Sequence, residues 1–445
     1  MGCDGERVGG SASAGWTCKA NLTIWKSGFT FWKRNRLWLT LGAAGGLLPG
    51  SAAGFLPGAT AAELEAQTTP VALVGARIHT AAGPAIENGT IVFQDGVITA
   101  LGADVVPPDG AEVVDLSGMV IMPGMLDNHS HIGVDSRDLN EFPVRFGPQH
   151  RIRDVLSPDD AFWKGAVKGG VTTVVTGPGS GEVSSGQAIV IKTWGESIDE
   201  RVVRERGGLK IAMGRKRPGQ SPTTSMAVTA LLRAKFIEAG EYQAKWDAWE
   251  EGGREGPAPP RDLAMEAMVR VLNGEDRIRS HVHMAHDILA IIRLSREFGF
   301  GLTIHHSTEA YKVADEIAEA GIDVVGMPLF TRIALSDEVM STGTVMNEKG
   351  VRFAFHTDDP VVGSKWQRGN AGLGIRYGMT ERQALEAVTI NPAAIAGVED
   401  RVGSLEVGKD ADIVVLNGRW YEVSSLVTRV YVDGRLAYDR EGEGS

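Results

Sequence analysis

Two histidines spaced i, i+2, His129 and His131, follow an apolar run at residues 119–126 in the segment MPGMLDNHSHIGVD. Alternate residues of a strand share a face, so two imidazoles just past its end converge on one point. That is what a divalent cation needs from its first two ligands. Two polar residues at a strand end would look the same, so the rest of the chain has to decide. His281 and His283 end a second apolar segment, His305 and His306 a third, and His356 and Asp358 follow a fourth in FAFHTDDP. Of the 10 histidines, only three lie away from such ends. Clustering of this kind points to a metal site. Lys210, inside the apolar strand GGLKIAMG, adds an anomaly. An ammonium buried without a partner is costly, so it needs a local acid or a chemical role.

The elements that position these groups alternate in type. Strand patterns fall at residues 119–126, 171–176, 187–191, 209–213, 278–283, 301–306, 322–327 and 351–356, most followed by helical patterns such as HDILAIIRLSREFGF. Strands alternating with helices imply a parallel sheet, and eight of them a closed barrel whose strand ends carry the site. The ends of the chain are β-rich, with Asp95-Gly96 and Asp433-Gly434 as hairpin turns, so one small sheet domain is built from both. The expected class is α/β: a (β/α)8 TIM barrel over residues 123–402, and a β-sandwich domain from residues 70–122 and 403–440. The charged, Gly/Pro-rich run AKWDAWEEGGREGPAPPRD is an excursion between the fourth and fifth strands that could cap the site.

Composition narrows the function. A formal charge of −11 and the lack of a basic patch argue against nucleic acid. Residues 1–61 do not read as fold. Lys33, Arg34 and Arg36 precede LWLTLGAAGGLLPGSAAG, and Ala59-Thr60-Ala61 fits a cleavage site, so export to the periplasm or outside the cell is expected, with a retained membrane anchor as the rival. Both cysteines, Cys3 and Cys18, lie in that segment. Nitrogen and oxygen must then hold any metal; zinc is the first expectation, with manganese, iron and cobalt open.

With PGMLDNHSH, the strand-end histidines, Asp358 and the tail TINPAAIAGVEDRVGSLEVGKDADIVVL in view, residues 71–438 resemble the amidohydrolase superfamily. The segments HVHMAHDI, STEAYKVADEIAEAG and GPAPPRDLAME resemble its imidazolonepropionase-related and Xaa-Arg-dipeptidase-like branch. The resemblance implies a barrel holding one or two divalent metals. It implies His129, His131, His281, His306 and Asp358 as ligands, with His283 a rival to His281. Lys210, carboxylated by carbon dioxide, would bridge two metals. By strand alternation His305 points away from His306, toward core or substrate, and His356 is a further candidate for metal or substrate. Asp359 would be a solvated or supporting carboxylate. Where the branch often has GENPKR, this chain reads GRKRPGQ, with Arg215 in place of a glutamate. Substrate chemistry and metal number therefore do not carry over at that loop.

The implied activity is hydrolysis of a non-aromatic C–N bond by metal-activated hydroxide, with Asp358 as general base and then acid. The substrate would be a small amide, N-acyl amino acid, dipeptide or cyclic amide, with non-peptide bonds favoured. A mononuclear deaminase or imidazolonepropionase-like hydrolase of cyclic amides is the nearest alternative. An exported binding protein without catalysis is disfavoured, because every expected ligand type is present. A glycosidase would need a Glu pair at strand ends, and none is evident. The sheet domain and the excursion offer surfaces for a homo-oligomer.

Overall fold

A computed structural model describes residues 69–216, 221–326 and 336–442, so the expected export segment lies outside the described residues. Five strands open this region: β1 (Val71–Ile78), β2 (Ile86–Gln94), β3 (Val97–Gly102), β4 (Glu112–Asp115) and β5 (Val120–Pro123). The barrel strands follow: β6 (Met125–Ser130), β7 (Val171–Thr176), β8 (Ser184–Lys192), β9 (Val202–Ala212), β10 (Ile278–Val282), β11 (Leu302–His306), β12 (Asp323–Gly326) and β13 (Phe353–Phe355). The chain closes with β14 (Ile413–Leu416), β15 (Val427–Val432) and β16 (Arg435–Asp439).

The terminal strands make one sheet in the order β16-β15-β14-β5-β1-β2-β3, with β4 beside β1. Its inner face buries Leu73, Ile78, Ile91, Phe93, Ile121, Ile413 and Val415 in a core of its own. Both expected hairpin turns form. Asp95 and Gly96 take φ of 52° and 83°, Asp433 and Gly434 φ of 47° and 72°, as a two-residue turn between right-twisted strands requires. The apolar run at 119–126, read as one strand, serves two sheets: β5 pairs with β14 in the terminal sheet, and β6 opens the barrel. The change of sheet falls at Gly124, where a Cβ would collide with the side chain of Thr172.

The barrel runs β6 to β13 in sequence order, and main-chain bonds carry the seam between its two ends. Asp358 N donates to His129 O at 3.0 Å and His131 N to Asp359 O at 2.8 Å. The first and last strands thus meet through the residues expected to bind metal. Helices cover the outside by apolar periodicity: Ala285–Phe298 buries Ile288, Ile291, Ile292 and Leu294, and ends at Gly299 in the left-handed region. The fold is an α/β TIM barrel with a β-rich domain, as expected.

One strand departs from the expected all-parallel arrangement. β8 pairs antiparallel with both β7 and β9. A parallel return needs a crossover of about a dozen residues or more. Only residues 177–183 join β7 to β8, so the chain can only turn back. Within the excursion, residues 244–251 end the helix Ser225–Glu251, which packs beside Leu263–Leu272, and residues 252–262 form a Gly/Pro loop. At the far end of β8, fully buried Lys192 reaches Asp410, Asp412 and Asp433 of the terminal segment.

Candidate metal centre

The strand ends bring the histidines together. His129 Nε2 lies 3.0 Å from Lys210 Nζ and 3.4 Å from Asp358 Oδ1, and His131 Nε2 lies 3.2 Å from the same oxygen. Ligand atoms of His129, His306 and Asp358 fall within 4.8 Å of one another, and so do those of His281, His283 and His306. The two triads share His306. Donor separations of 3.2 and 3.4 Å match a tetrahedral site, whose edge is about 3.3 Å for bonds of about 2.05 Å. The rings of both His281 and His283 face His306, and His283 Nδ1 is also bonded to Thr308 Oγ1 at 2.8 Å.

Backbone strain is concentrated here. His306, Ser307 and Asp358 take φ of 65°, 49° and 56°. Such left-handed conformations cost roughly 1–3 kcal/mol each and persist where the surroundings enforce them. The turn at His306 also corrects the alternation argument. His305 and His306 should face opposite ways, yet their rings lie 5.0 and 4.7 Å from that of His129. The left-handed step at His306 swings its side chain back to the centre. His305 is fully buried and contacts His129 through its Nδ1 at 3.0 Å. His356 is also fully buried and stacked 4.9 Å from His129.

The donor set fits a divalent cation. His131 Nδ1 donates to Gly177 O at 2.6 Å, which orients the ring and leaves Nε2 as the nitrogen that faces Asp358 Oδ1. A divalent cation beside the pair would be held by an imidazole nitrogen and a carboxylate oxygen together. Buried His281 Nδ1 and His306 Nε2 have no hydrogen-bond partner among the described residues. Burial, with Lys210 and neighbouring rings, holds His129 well below the ordinary histidine pKa, and burial likewise dominates at His281 and His306. These imidazoles keep their lone pairs for metal.

Lys210 is 5% exposed, and burial draws its pKa down to about 7. No ion pair to it is found among the described residues, although the charge of nearby Asp358 opposes the effect of burial. Burial raises Asp358, but the hydrogen bond and charge of His131 outweigh this and leave it below the ordinary carboxylate value. Asp127 carries a role that the sequence reading did not assign. Fully buried, it accepts from His129 N at 3.0 Å and from the Thr357 amide and hydroxyl, tying β6 to the turn that carries Asp358. Asp359 is buried too, accepting from Ser364 N and Oγ, so it supports the same turn.

A cavity of about 720 Å³ opens on His281 and His283, with Phe142, Arg215, Lys216 and Asp287 among its walls. None of residues 244–262 lines it, so the excursion does not cap the site. Lys216, in the divergent loop, donates to Ser180 O at 3.3 Å, and burial lowers its pKa to about 8. Ser180 belongs to the Gly-rich turn before β8, which thus forms a wall of the cavity. A second cleft, of about 610 Å³ beside Trp163 and Tyr438, contains none of these ligands.

Comparison with known proteins identifies the family. The amidohydrolase family model matches residues 252–437. A crystal structure of an amidohydrolase from Thermotoga maritima MSB8 is 35% identical, covering 83% of this chain and all of that one, with a TM-score of 0.79. The chain therefore belongs to the amidohydrolase superfamily of hydrolases. Among curated proteins, amidohydrolase tasK of Hapsidospora irregularis is 27% identical over 392 residues, 79% of this chain. This chain spans only 40% of the length of tasK. An imidazolonepropionase of Thermoplasma acidophilum is 24% identical over 413 residues, 80% of this chain and 91% of that protein.

Proposed function

We propose that this chain hydrolyses a non-aromatic C–N bond, an amide or cyclic amide, of a small molecule. The observation that carries the reading is the pair of triads sharing His306 where the cavity opens. His129, His131 and Asp358 would hold one divalent ion, zinc in the first instance, and His281, His306 and His283 a second. Lys210 would join them as a carbamate, since the amine fraction left near pH 7 is the form that reacts with carbon dioxide. When bound, the metal lowers the pKa of water to roughly 7 and polarises a carbonyl. Asp358, ionised at neutral pH, is the base for the water proton and returns it to the leaving nitrogen. Lys216 and Asp287 contact the part of the substrate that fills the cavity.

A mononuclear hydrolase of a cyclic amide is the second reading, favoured by the similarity to imidazolonepropionase across most of both chains. It would use His129, His131, His306 and Asp358 alone. Metal content per chain, measured with and without bicarbonate, tests both, alongside turnover of N-acyl amino acids, dipeptides and cyclic amides. Two ions per chain, reduced in Lys210→Ala, are expected. One ion insensitive to Lys210 selects the mononuclear reading, and no bound metal removes both. Export belongs to the same proposal: N-terminal sequencing of the mature protein should begin at residue 62.

A further inference from the structure

The two histidines of the opening motif are oriented by different kinds of partner. His131 does the usual thing, donating Nδ1–H to a backbone carbonyl. Among the described residues, no carbonyl or carboxylate is bonded to His129 Nδ1. It meets the Nδ1 of another histidine, His305, at 3.0 Å. Both rings are buried, so the bond is sheltered from water. Two Nδ1 atoms at that distance share one proton: one ring donates and the other accepts.

The far side of His129 decides which. Its Nε2 lies 3.0 Å from Lys210 Nζ, a donor, and 3.4 Å from Asp358 Oδ1. With the Lys210 amine as donor, Nε2 presents its lone pair, the same pair that a metal would take in its place. A neutral ring with a bare Nε2 carries its proton on Nδ1. We infer that His305 is a positioning residue whose unprotonated Nδ1 accepts from His129 Nδ1–H and so commits His129 Nε2 to the metal. His305 then bears its own proton on Nε2, an atom with no hydrogen-bond partner among the described residues. The opposite arrangement would place a proton on the nitrogen that has to ligate. The inference rests on the metal reading of the site.

Zinc affinity by chelator competition tests it, on wild type, His305→Leu and His305→Asn. Asn places Oδ1 near the lost Nδ1 and keeps an acceptor, whereas Leu has similar bulk and none. The Leu variant should bind zinc about 10- to 100-fold more weakly. The Asn variant should retain most of the affinity, although the two metal-free proteins melt alike. Wild-type affinity in the Leu variant, or an equal loss in both, would overturn the inference and leave the metal reading intact. A wild type that takes up no zinc would sink both. Nitrogen NMR of zinc-loaded, histidine-labelled wild type reads the tautomers without any substitution. Protons on His129 Nδ1 and His305 Nε2 are expected, and a proton on His305 Nδ1 refutes the assignment.

Discussion

Replacing Lys192 with methionine keeps most of the side-chain volume and removes one charge from a place where water cannot replace it. Lys192 is 1% exposed, and its Nζ lies 2.8 Å from Asp412, 2.9 Å from Asp410 and 3.0 Å from Asp433. In the variant, Arg401 still reaches Asp410 at 2.8 Å and the Asp433 amide still donates to Asp412 at 3.1 Å. Three carboxylates would then share one cation. Removing one partner of a buried ion pair costs roughly 3–5 kcal/mol. At about 2 cal/mol/K of unfolding entropy per residue, 4 kcal/mol on a chain this long lowers Tm by about 4–5 °C.

The loss should also depend on pH, with a sign that identifies its cause. Burial already raises Asp433 above its ordinary value, against the opposing charge of Lys192. Without Lys192, that carboxylate climbs further. Below its folded pKa, and down to the unfolded value of 3.8, the native state then binds a proton that the unfolded chain releases, so stability recovers as pH falls. Calorimetric melts of metal-free wild type and variant at pH 8 and pH 5 provide the comparison. The gap in Tm should be widest at pH 8 and narrow at pH 5. An equal gap at both would show that lost packing, rather than stranded charge, sets the cost, and would refute the argument.

Asp358→Asn should keep most of the bound metal, because an amide oxygen retains a lone pair, and yet lose about 10²–10⁴ in turnover. Metal analysis beside steady-state kinetics checks the split, and near-normal turnover would end the assignment. Lys210 has a folded pKa of about 7 against 10.5 when unfolded, so between those values the unfolded chain holds a proton that the native state lacks. Metal-free stability should therefore gain with rising pH across that window, and Lys210→Met should remove this component in denaturant titrations. Thr357→Val deletes the hydroxyl donor to buried Asp127 and should cost about 1–3 kcal/mol, read from urea unfolding; a neutral result would deny the clamp.

Much of the centre was legible because its chemistry is local. His129 and His131 share a strand face, and the Asp-Gly turns declare themselves through residues that tolerate positive φ. The direction of β8 was also within reach, since the residues between Thr176 and Ser184 are too few for a crossover; counting strands without measuring their connections missed it. The orientation of His305 was not within reach. Alternation is valid only while the backbone stays extended, and nothing in TIHHST announces a left-handed histidine. Contacts distant in sequence were equally hidden, such as Lys192 with Asp410. Even so, a lysine closing the apolar run AIVIK is the same anomaly that drew attention to Lys210, and it resolves differently: three carboxylates within ion-pair distance, where Lys210 has no such pair among the described residues.

The reversed strand also bears on how this enzyme could acquire new substrates. Most walls around the cavity hang from strand-to-helix loops, which can lengthen or shorten without disturbing the sheet. The wall at Ser180 is the bend of a hairpin, with β7 and β8 in register on either side and the carbonyl of Gly177 held by His131. An insertion there would slip a strand or tug on a metal ligand. That side of the cavity can be retuned only by exchanging side chains one for one, whereas the loop around Arg215 is free to grow. Directed libraries should randomise length at the second wall and identity alone at the first.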